Sequence, residues 1–173
     1  YDNPVSGAGS TIRKNGEIAN IKWQRRGTTA AIHGYSYSIY GELTNVDYSD
    51  YTSTYTLVST LKYDESFGYL SNGSFNTLTR RNDATTLIDN LQYNYLSNNV
   101  RLNRVNDLSS NATGHNQNGQ SSSGNIYTYD TNGNLKSDLY RGVSNINYNY
   151  LDLPTLIQKS DGSKLEMTYD ASG

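Results

Sequence analysis

From Ile126 to Asp130 the side chains alternate between two faces of an extended chain, with Ile126, Thr128 and Asp130 on one and Tyr127 and Tyr129 on the other. A period of two belongs to a strand, not a helix. Asn132-Gly133 comes next and Leu135 begins a return. Asn-Gly supplies the two positive-φ positions of a type I′ turn, so the stretch predicts a tight β-hairpin. Asn15-Gly16, Asn72-Gly73 and Asp161-Gly162 also lie between alternating segments and predict three further turns. Around Asp161-Gly162, a two-residue loop pairs Leu156 with Met167 and Gln158 with Leu165 on one face. It pairs Ile157 with Glu166 and Lys159 with Lys164 on the other. The first face is apolar and the second mostly charged, the pattern of a sheet with one buried side.

The hairpin recurs. Copies align as GYSYSIYGEL, FGYLSNGSF, LQYNYLSNNVRL, IYTYDTNGNL, INYNYLDLP and LEMTYDASG, with anchor tyrosines Tyr37, Tyr69, Tyr95, Tyr129, Tyr150 and Tyr169. The last two anchors follow at intervals of about twenty residues, which suits one hairpin per repeat. The longer early intervals contain insertions, of which Ser109 to Gly124 is the clearest: it has almost nothing to bury and is expected to be a mobile loop. A lone hairpin is marginal in water, so such units must stack, and the array is the functional object.

Composition strengthens the all-β expectation. Seventeen Tyr against two Phe, with fifteen Gly and two Pro, favours strands joined by tight turns. A net charge of −2 argues against a nucleic-acid partner, which would require a basic stripe. The one basic cluster, Lys22-Trp23-Gln24-Arg25-Arg26, is short and reads as alternate side chains projecting from a strand. The absence of cysteine excludes a disulfide framework and thiol chemistry. No apolar run has the ~18 residues of a membrane helix, so membrane insertion is not expected. The chain opens on Tyr1 and reads as a piece of a longer polypeptide. Asn111-Ala112-Thr113 and Asn72-Gly73-Ser74 match glycosylation sequons, triplets that arise by chance in a chain this rich in Asn.

Little catalytic chemistry converges. His33 lies in an apolar AAIHGY segment and His115 in the low-complexity insertion. There is no G-x-S-x-G elbow, Walker loop or H-E-x-x-H, and Gly7-Ala8-Gly9 lacks the third glycine and the helix of a dinucleotide site. Asp47, Asp50, Asp64, Glu65, Asp89, Asp107 and Glu166 are scattered. Asp130, Asn132 and Asn134 imitate a calcium loop, but an EF-hand needs Gly at the sixth position and Glu at the twelfth, where Gly133 is fourth and Arg141 twelfth. Asp130 and Asp170 are expected to accept bonds from turn amides. No cofactor, metal or catalytic residue is therefore expected. The tyrosines have two readings: cross-strand packing, or a stacking surface for sugar rings.

YTYDTNGNL, then INYNYLDLPTLI and SKLEMTYDASG, resembles the YD repeats, also called RHS repeats, whose consensus runs roughly Tyr-x-Tyr-Asp-x-x-Gly-Asn-Leu. The likeness is close over the last fifty residues. Earlier copies are degenerate, with Ser38, Leu70 and Leu96 replacing the motif aspartate, and KNGEIANIKWQ resembles an NGNI-type lead-in. The resemblance implies an all-β fold of successive antiparallel hairpins that spirals as part of a hollow shell, as in bacterial RHS toxins, Tc toxin C components and teneurins. It divides the chain into degenerate repeats over 1–108, the loop 109–124 and well-matched repeats over 125–173. It implies a secreted or cell-surface bacterial protein, with neighbouring repeats of a parent chain and a C-terminal effector as partners. These residues include neither the DPxG-bearing core nor a variable effector, so carrying a toxin is expected of the parent chain and not of these residues. Three functions follow: a non-catalytic shell segment, a glycan-binding adhesive module, or an exported passenger of a secretion complex.

Overall fold

The computed structural model describes residues 15–51, 57–97, 100–117 and 119–170. The fold is all-β. Its strands are β1 (Asn20–Trp23), β2 (Ala30–Tyr37), β3 (Leu43–Tyr51), β4 (Leu57–Ser59), β5 (Glu65–Tyr69), β6 (Phe75–Arg81), β7 (Leu87–Tyr95) and β8 (Leu102–Asp107). They continue as β9 (Tyr127–Tyr129), β10 (Leu135–Asp138), β11 (Val143–Tyr148), β12 (Pro154–Lys159) and β13 (Lys164–Glu166), with a 3-10 turn at Leu139–Arg141. Two open sheets result: β1-β2-β3-β5-β6-β7-β8, to which β4 adds on β3, and β13-β12-β11-β10-β9. The strands pair antiparallel, as short connections allow. Among the described residues no helix is long and apolar enough to cross a membrane.

The chain divides into two compact units, Tyr1–Gln92 with Asp107–His115, and Tyr93–Asn106 with Asn116–Gly173. In the first, Ala30, Ala31, Ile32, Val46, Tyr48 and Leu91 are buried; in the second, Val105, Ile126 and Tyr140. Both cores are small, so polar bonds matter more than apolar area in fixing the strands.

The turns differ from the two-residue type I′ expectation. In six hairpins the residue before the loop donates its N–H to the carbonyl four positions on, and the third loop residue donates back. Asp130 N to Asn134 O is 3.0 Å and Gly133 N to Asp130 O is 3.2 Å. Ser38/Glu42, Leu70/Ser74, Asn82/Thr86, Asn149/Leu153 and Lys159/Ser163 repeat the arrangement. Only the third loop residue is left-handed, with φ of 85° at Gly41, 80° at Gly73, 96° at Gly133 and 87° at Gly162. Asn72, Asn132 and Asp161 are not at positive φ. These are type I turns followed by a left-handed residue, a three-residue loop that matches the right-handed strand twist. Asn15-Gly16 forms a bend, with Gly16 at φ 88° and Glu17 N–H donated to Asn15 Oδ1. The segment before it lies outside the described residues.

The extra loop residue moves the register. β12 and β13 pair Leu156 with Glu166, Ile157 with Leu165 and Gln158 with Lys164, one residue from the pairing expected above. A slip of one exchanges the faces, so the apolar pair is Ile157 with Leu165 and not Leu156 with Met167. In the other hairpins the register also shifts just past the turn, between Ser36/Tyr37, Gly68/Tyr69, Arg80/Arg81, Leu135/Ser137 and Asn147/Tyr148. The unpaired residue is Thr44, Asn76, Ile88, Lys136 or Thr155. A bulge at this place bends and twists the ribbon at these five turns.

Two of the six loops have no glycine at the left-handed position: Thr85 sits at φ 64° and Asp152 at φ 59°. A β-branched residue there brings Cβ against the following carbonyl, at a cost of about 1–2 kcal/mol. Thr85→Gly is therefore expected to raise the unfolding free energy by about 0.5–1 kcal/mol, the relief being partly offset by a freer unfolded chain. Chemical denaturation checks this, and a lowered midpoint would contradict the left-handed assignment.

Candidate functional site

Tyr37, Tyr69, Tyr129 and Tyr148 end strands and Tyr169 follows β13, and the hydroxyls of these five reach backward to a carbonyl near the start of an earlier strand. Tyr37 donates to Ile18 O at 3.0 Å, Tyr69 to Leu43 O at 2.7 Å and Tyr129 to Leu102 O at 2.8 Å. Tyr148 donates to Leu135 O at 2.7 Å and Tyr169 to Pro154 O at 2.9 Å. The bonds form a series. Tyr129 pairs across its own turn with Leu135, whose carbonyl takes the Tyr148 hydroxyl; Tyr148 pairs with Pro154, whose carbonyl takes Tyr169. Each hydroxyl thus clasps one hairpin to the one before it. Burial raises the pKa of Tyr69, Tyr129 and Tyr148, which keeps the phenols protonated and able to donate.

Tyr148, not Tyr150, is the anchor of its copy. Tyr150 lies in the Asn149–Leu153 loop and is 87% exposed. The YNY triplet offers two phenols, and the turn decides between them, since it opens at Asn149 and leaves Tyr148 at the end of β11 with Tyr150 in the loop. Tyr148→Phe is expected to cost about 1 kcal/mol, the net worth of one hydrogen bond, with no change for Tyr150→Phe. Equal midpoints for the two variants would reject the clasp. Tyr95 ends β7 immediately before the turn closed by Leu96 N–H to Arg101 O.

In three hairpins the residue after the tyrosine caps the turn. Asp130 Oδ1 accepts from Asn134 N at 2.9 Å and Oδ2 from Asn134 Nδ2 at 3.1 Å. Slight desolvation raises the Asp130 carboxyl, but these bonds outweigh it and hold the group below the ordinary range. Ser38 Oγ does the same work for Tyr40 N–H and Glu42 N–H, and Asn149 Oδ1 for Leu151 N–H and Leu153 N–H. Asn82 Oδ1 caps a hairpin that carries no Asn-Gly signal, through Ala84 N–H and Thr86 N–H. Where the first position is Leu70, Asn72 Oδ1 takes Ser74 N–H instead, and Asp161 Oδ1 likewise takes Ser163 N–H. Replacement of aspartate by Ser38 is therefore physically conservative: any short acceptor suffices. Asp170 stands at the same step, but the residues it would cap, 171–173, lie outside the described ones. Asn132 and Asn134 direct their amide nitrogens to Asp152 Oδ1, at 3.0 and 2.7 Å.

In the second unit β8 is bordered by side chains. Leu102 O takes the Tyr129 hydroxyl, Asn103 O takes Ile126 N–H at 3.2 Å, and both backbone groups of Val105 bond the Tyr140 hydroxyl. Tyr140 is placed by the 3-10 turn, whose Asp138 cap accepts Arg141 N–H and pairs with its guanidinium at 2.7 Å. Tyr127 packs edge-on against Tyr140 at 5.8 Å, and burial first, then the Asp138 charge, pushes its pKa up to about 12.

In the first unit the insertion after β8 is tied to β7. Ser109 Oγ donates to Ile88 O at 3.0 Å and His115 N–H to Asp89 Oδ1 at 2.5 Å. Asp89 is 1% exposed, and its Oδ2 takes Arg80 Nε at 2.7 Å and Nη2 at 2.6 Å. Asp107 accepts Asn90 N–H and Ser109 N–H. These carboxylates are therefore occupied by structure. Glu166 pairs with Lys164 on the exposed end of β13.

His33 stands elsewhere in this unit, in a row of aromatic rings. Trp23, His33, Tyr48 and Tyr63 follow one another with centroids 6.5, 5.4 and 5.3 Å apart. Strand register explains the row: Trp23 pairs with Ala31, Tyr48 with His33, and residues two apart share a face. With Tyr35, Leu43, Val46 and Glu65 the rings line a trough of about 570 Å³. Tyr48 donates its hydroxyl to Asp50 at 2.8 Å, and burial, that bond and the Asp50 charge push its pKa up to about 12. Burial lowers the His33 pKa, against the opposing pull of Glu65 and Asp64. No sequence signal marked this row, because its rings come from four separated segments. Among the described residues no hydroxyl bonds to the His33 ring, and no group of three or more His, Asp or Glu could hold a metal ion. No family model matches the sequence, and no curated protein matches it at a significant level.

Proposed function

We propose that the chain is a non-catalytic segment of a repeat-built scaffold, a stretch of YD-type hairpin ribbon in a large secreted or cell-surface bacterial protein that encloses or displays something else. The observation that supports this reading is the recurrence of the tyrosine clasp, in which one hydroxyl ties each of five hairpins to its predecessor. A repeated bond of this kind distributes like residues evenly along the chain, whereas a catalytic centre concentrates unlike ones. The partners of such a segment are the neighbouring repeats of its parent chain and, by the resemblance, an effector at its C-terminal side.

The test is additivity. Further copies of residues 127–169 are appended to the chain, and unfolding is followed by circular dichroism. A repeat scaffold gains stability with each copy, because nearest-neighbour contacts dominate. A midpoint independent of copy number would reject the reading. So would hydrolytic turnover by the chain that disappears in His33→Ala.

A further inference from the structure

We propose that the trough formed by Trp23, His33, Tyr48, Tyr63 and Glu65 binds a small alkylated ammonium ion. Its walls are aromatic, and successive rings are tilted by 56°, 56° and 75°, so that they line an open trough and do not form one flat platform. A cation is attracted to the face of an aromatic ring within about 6 Å of its centroid. The volume, about 570 Å³, is that of a site for a small organic molecule.

Charge selects the class of ligand. Glu65 lines the trough, and among the described residues no basic group lies within 4 Å of its carboxylate. Arg80, its cross-strand neighbour, is committed to Asp89. Asp64 stands beside it, with Oδ1 on Tyr48 N–H. Asp50 is already paired, with Lys62 at 3.4 Å. Burial depresses the His33 pKa, which leaves an uncharged imidazole at neutral pH and no fixed cation among the rings. Glu65 thus gives the trough a negative charge, which an ammonium ion complements.

A sugar fits these features less well. A sugar stacked on an exposed ring such as Tyr63 needs free hydrogen-bonding groups beside it, yet the neighbouring Tyr48 hydroxyl is engaged by Asp50. The backbone at the mouth carries a second sign. Leu61 and Tyr63, on either side of Lys62, are both left-handed without being glycine, with φ of 57° and 55°. Strain of this kind costs about 1–3 kcal/mol and clusters at ligand sites; here it turns the Tyr63 ring onto Tyr48.

Trp23 is the single tryptophan of the chain and lines the trough, so its emission reports occupancy directly. The chain is titrated with choline, with its uncharged carbon isostere dimethylbutanol, and with methyl glucoside. Choline is expected to give a saturable change, with the isostere weaker by about tenfold or more, as a cation–π and ionic difference of this size implies. Glu65→Gln should weaken choline several-fold without altering the far-ultraviolet spectrum, and Tyr63→Ala should do the same. Equal binding of choline and the isostere would overturn the proposal in favour of a merely apolar groove. Saturation by the glucoside alone, or by none of the three, would overturn it as well. Because none of these residues takes part in the clasps, failure here leaves the scaffold reading intact.

Discussion

Tyr140→Phe is expected to lower the unfolding free energy by about 2–4 kcal/mol, since each buried backbone group left without a partner costs about 1–3 kcal/mol. The hydroxyl accepts from Val105 N–H at 3.2 Å and donates to Val105 O, and both side chains are buried, at 7% and 6% exposure. Phenylalanine keeps the ring against Tyr127 and removes one oxygen, so the loss falls on hydrogen bonding and not on packing. The cavity left behind is smaller than a water molecule requires, which prevents solvent from replacing the hydroxyl. Chemical denaturation gives the total, and amide exchange at Val105 locates it. Tyr40→Phe, at an exposed turn residue, is the control. Exchange at Val105 as slow as in the parent chain would show that this bond does not hold β8.

The second large effect is expected at Gly114. A Cβ there falls on the Ile88 carbonyl oxygen and on the Asp89 carboxylate. Neither can yield: Ile88 belongs to β7, and Asp89 is gripped by Arg80 and by His115 N–H. Gly114→Ala must lift the insertion off the strand, with loss of the His115 bond. Overpacking at about 1–3 kcal/mol and a charge-assisted hydrogen bond at about 1.5–3 kcal/mol together predict a cost of about 3 kcal/mol. Asp89→Asn keeps the volume and removes the ion pair, so it should cost less and couple to Gly114→Ala in a double-mutant cycle. Additive effects, or an unchanged midpoint for Gly114→Ala, would mean that the insertion does not dock through Asp89.

Much of the ribbon was legible because its punctuation is local. Gly133 and Gly162 mark the left-handed loop position, and alternation from Ile126 to Asp130 marks a strand. Register was not legible. The residue after each tyrosine's cross-strand partner leaves the ladder, at Thr44, Asn76, Lys136 and Thr155, so a period of two carried through the turn arrives one residue out. Tyr148 was hidden behind Tyr150 because the turn opens at Asn149, earlier than the alignment on the second tyrosine assumes. The hairpin at Asn82 was missed because Thr85 holds a conformation usually left to glycine. The insertion 109–124 was expected to be mobile from its composition, yet Ser109 and His115 bond to β7 through one hydroxyl and one main-chain N–H, groups that composition does not reveal. The aromatic trough was invisible for another reason: Trp23, His33, Tyr48 and Tyr63 join one row only once four segments have folded together.

The clasp is asymmetric in a way that bears on how such a chain evolves. Its donor must be tyrosine, since no other side chain ends in a hydroxyl on so long and rigid an arm, but its acceptor is a peptide carbonyl. Ile18, Leu43, Leu102, Leu135 and Pro154 serve equally, and even proline, which has no N–H to offer a sheet, accepts without penalty. Heredity therefore constrains one half of every joint and leaves the other blank. A duplicated hairpin arrives already able to receive its neighbour, whatever residue stands at the receiving place. Copies can diverge until their kinship is hard to see while the joints between them stay interchangeable, which allows an array of this type to lengthen, shorten or recombine by whole hairpins.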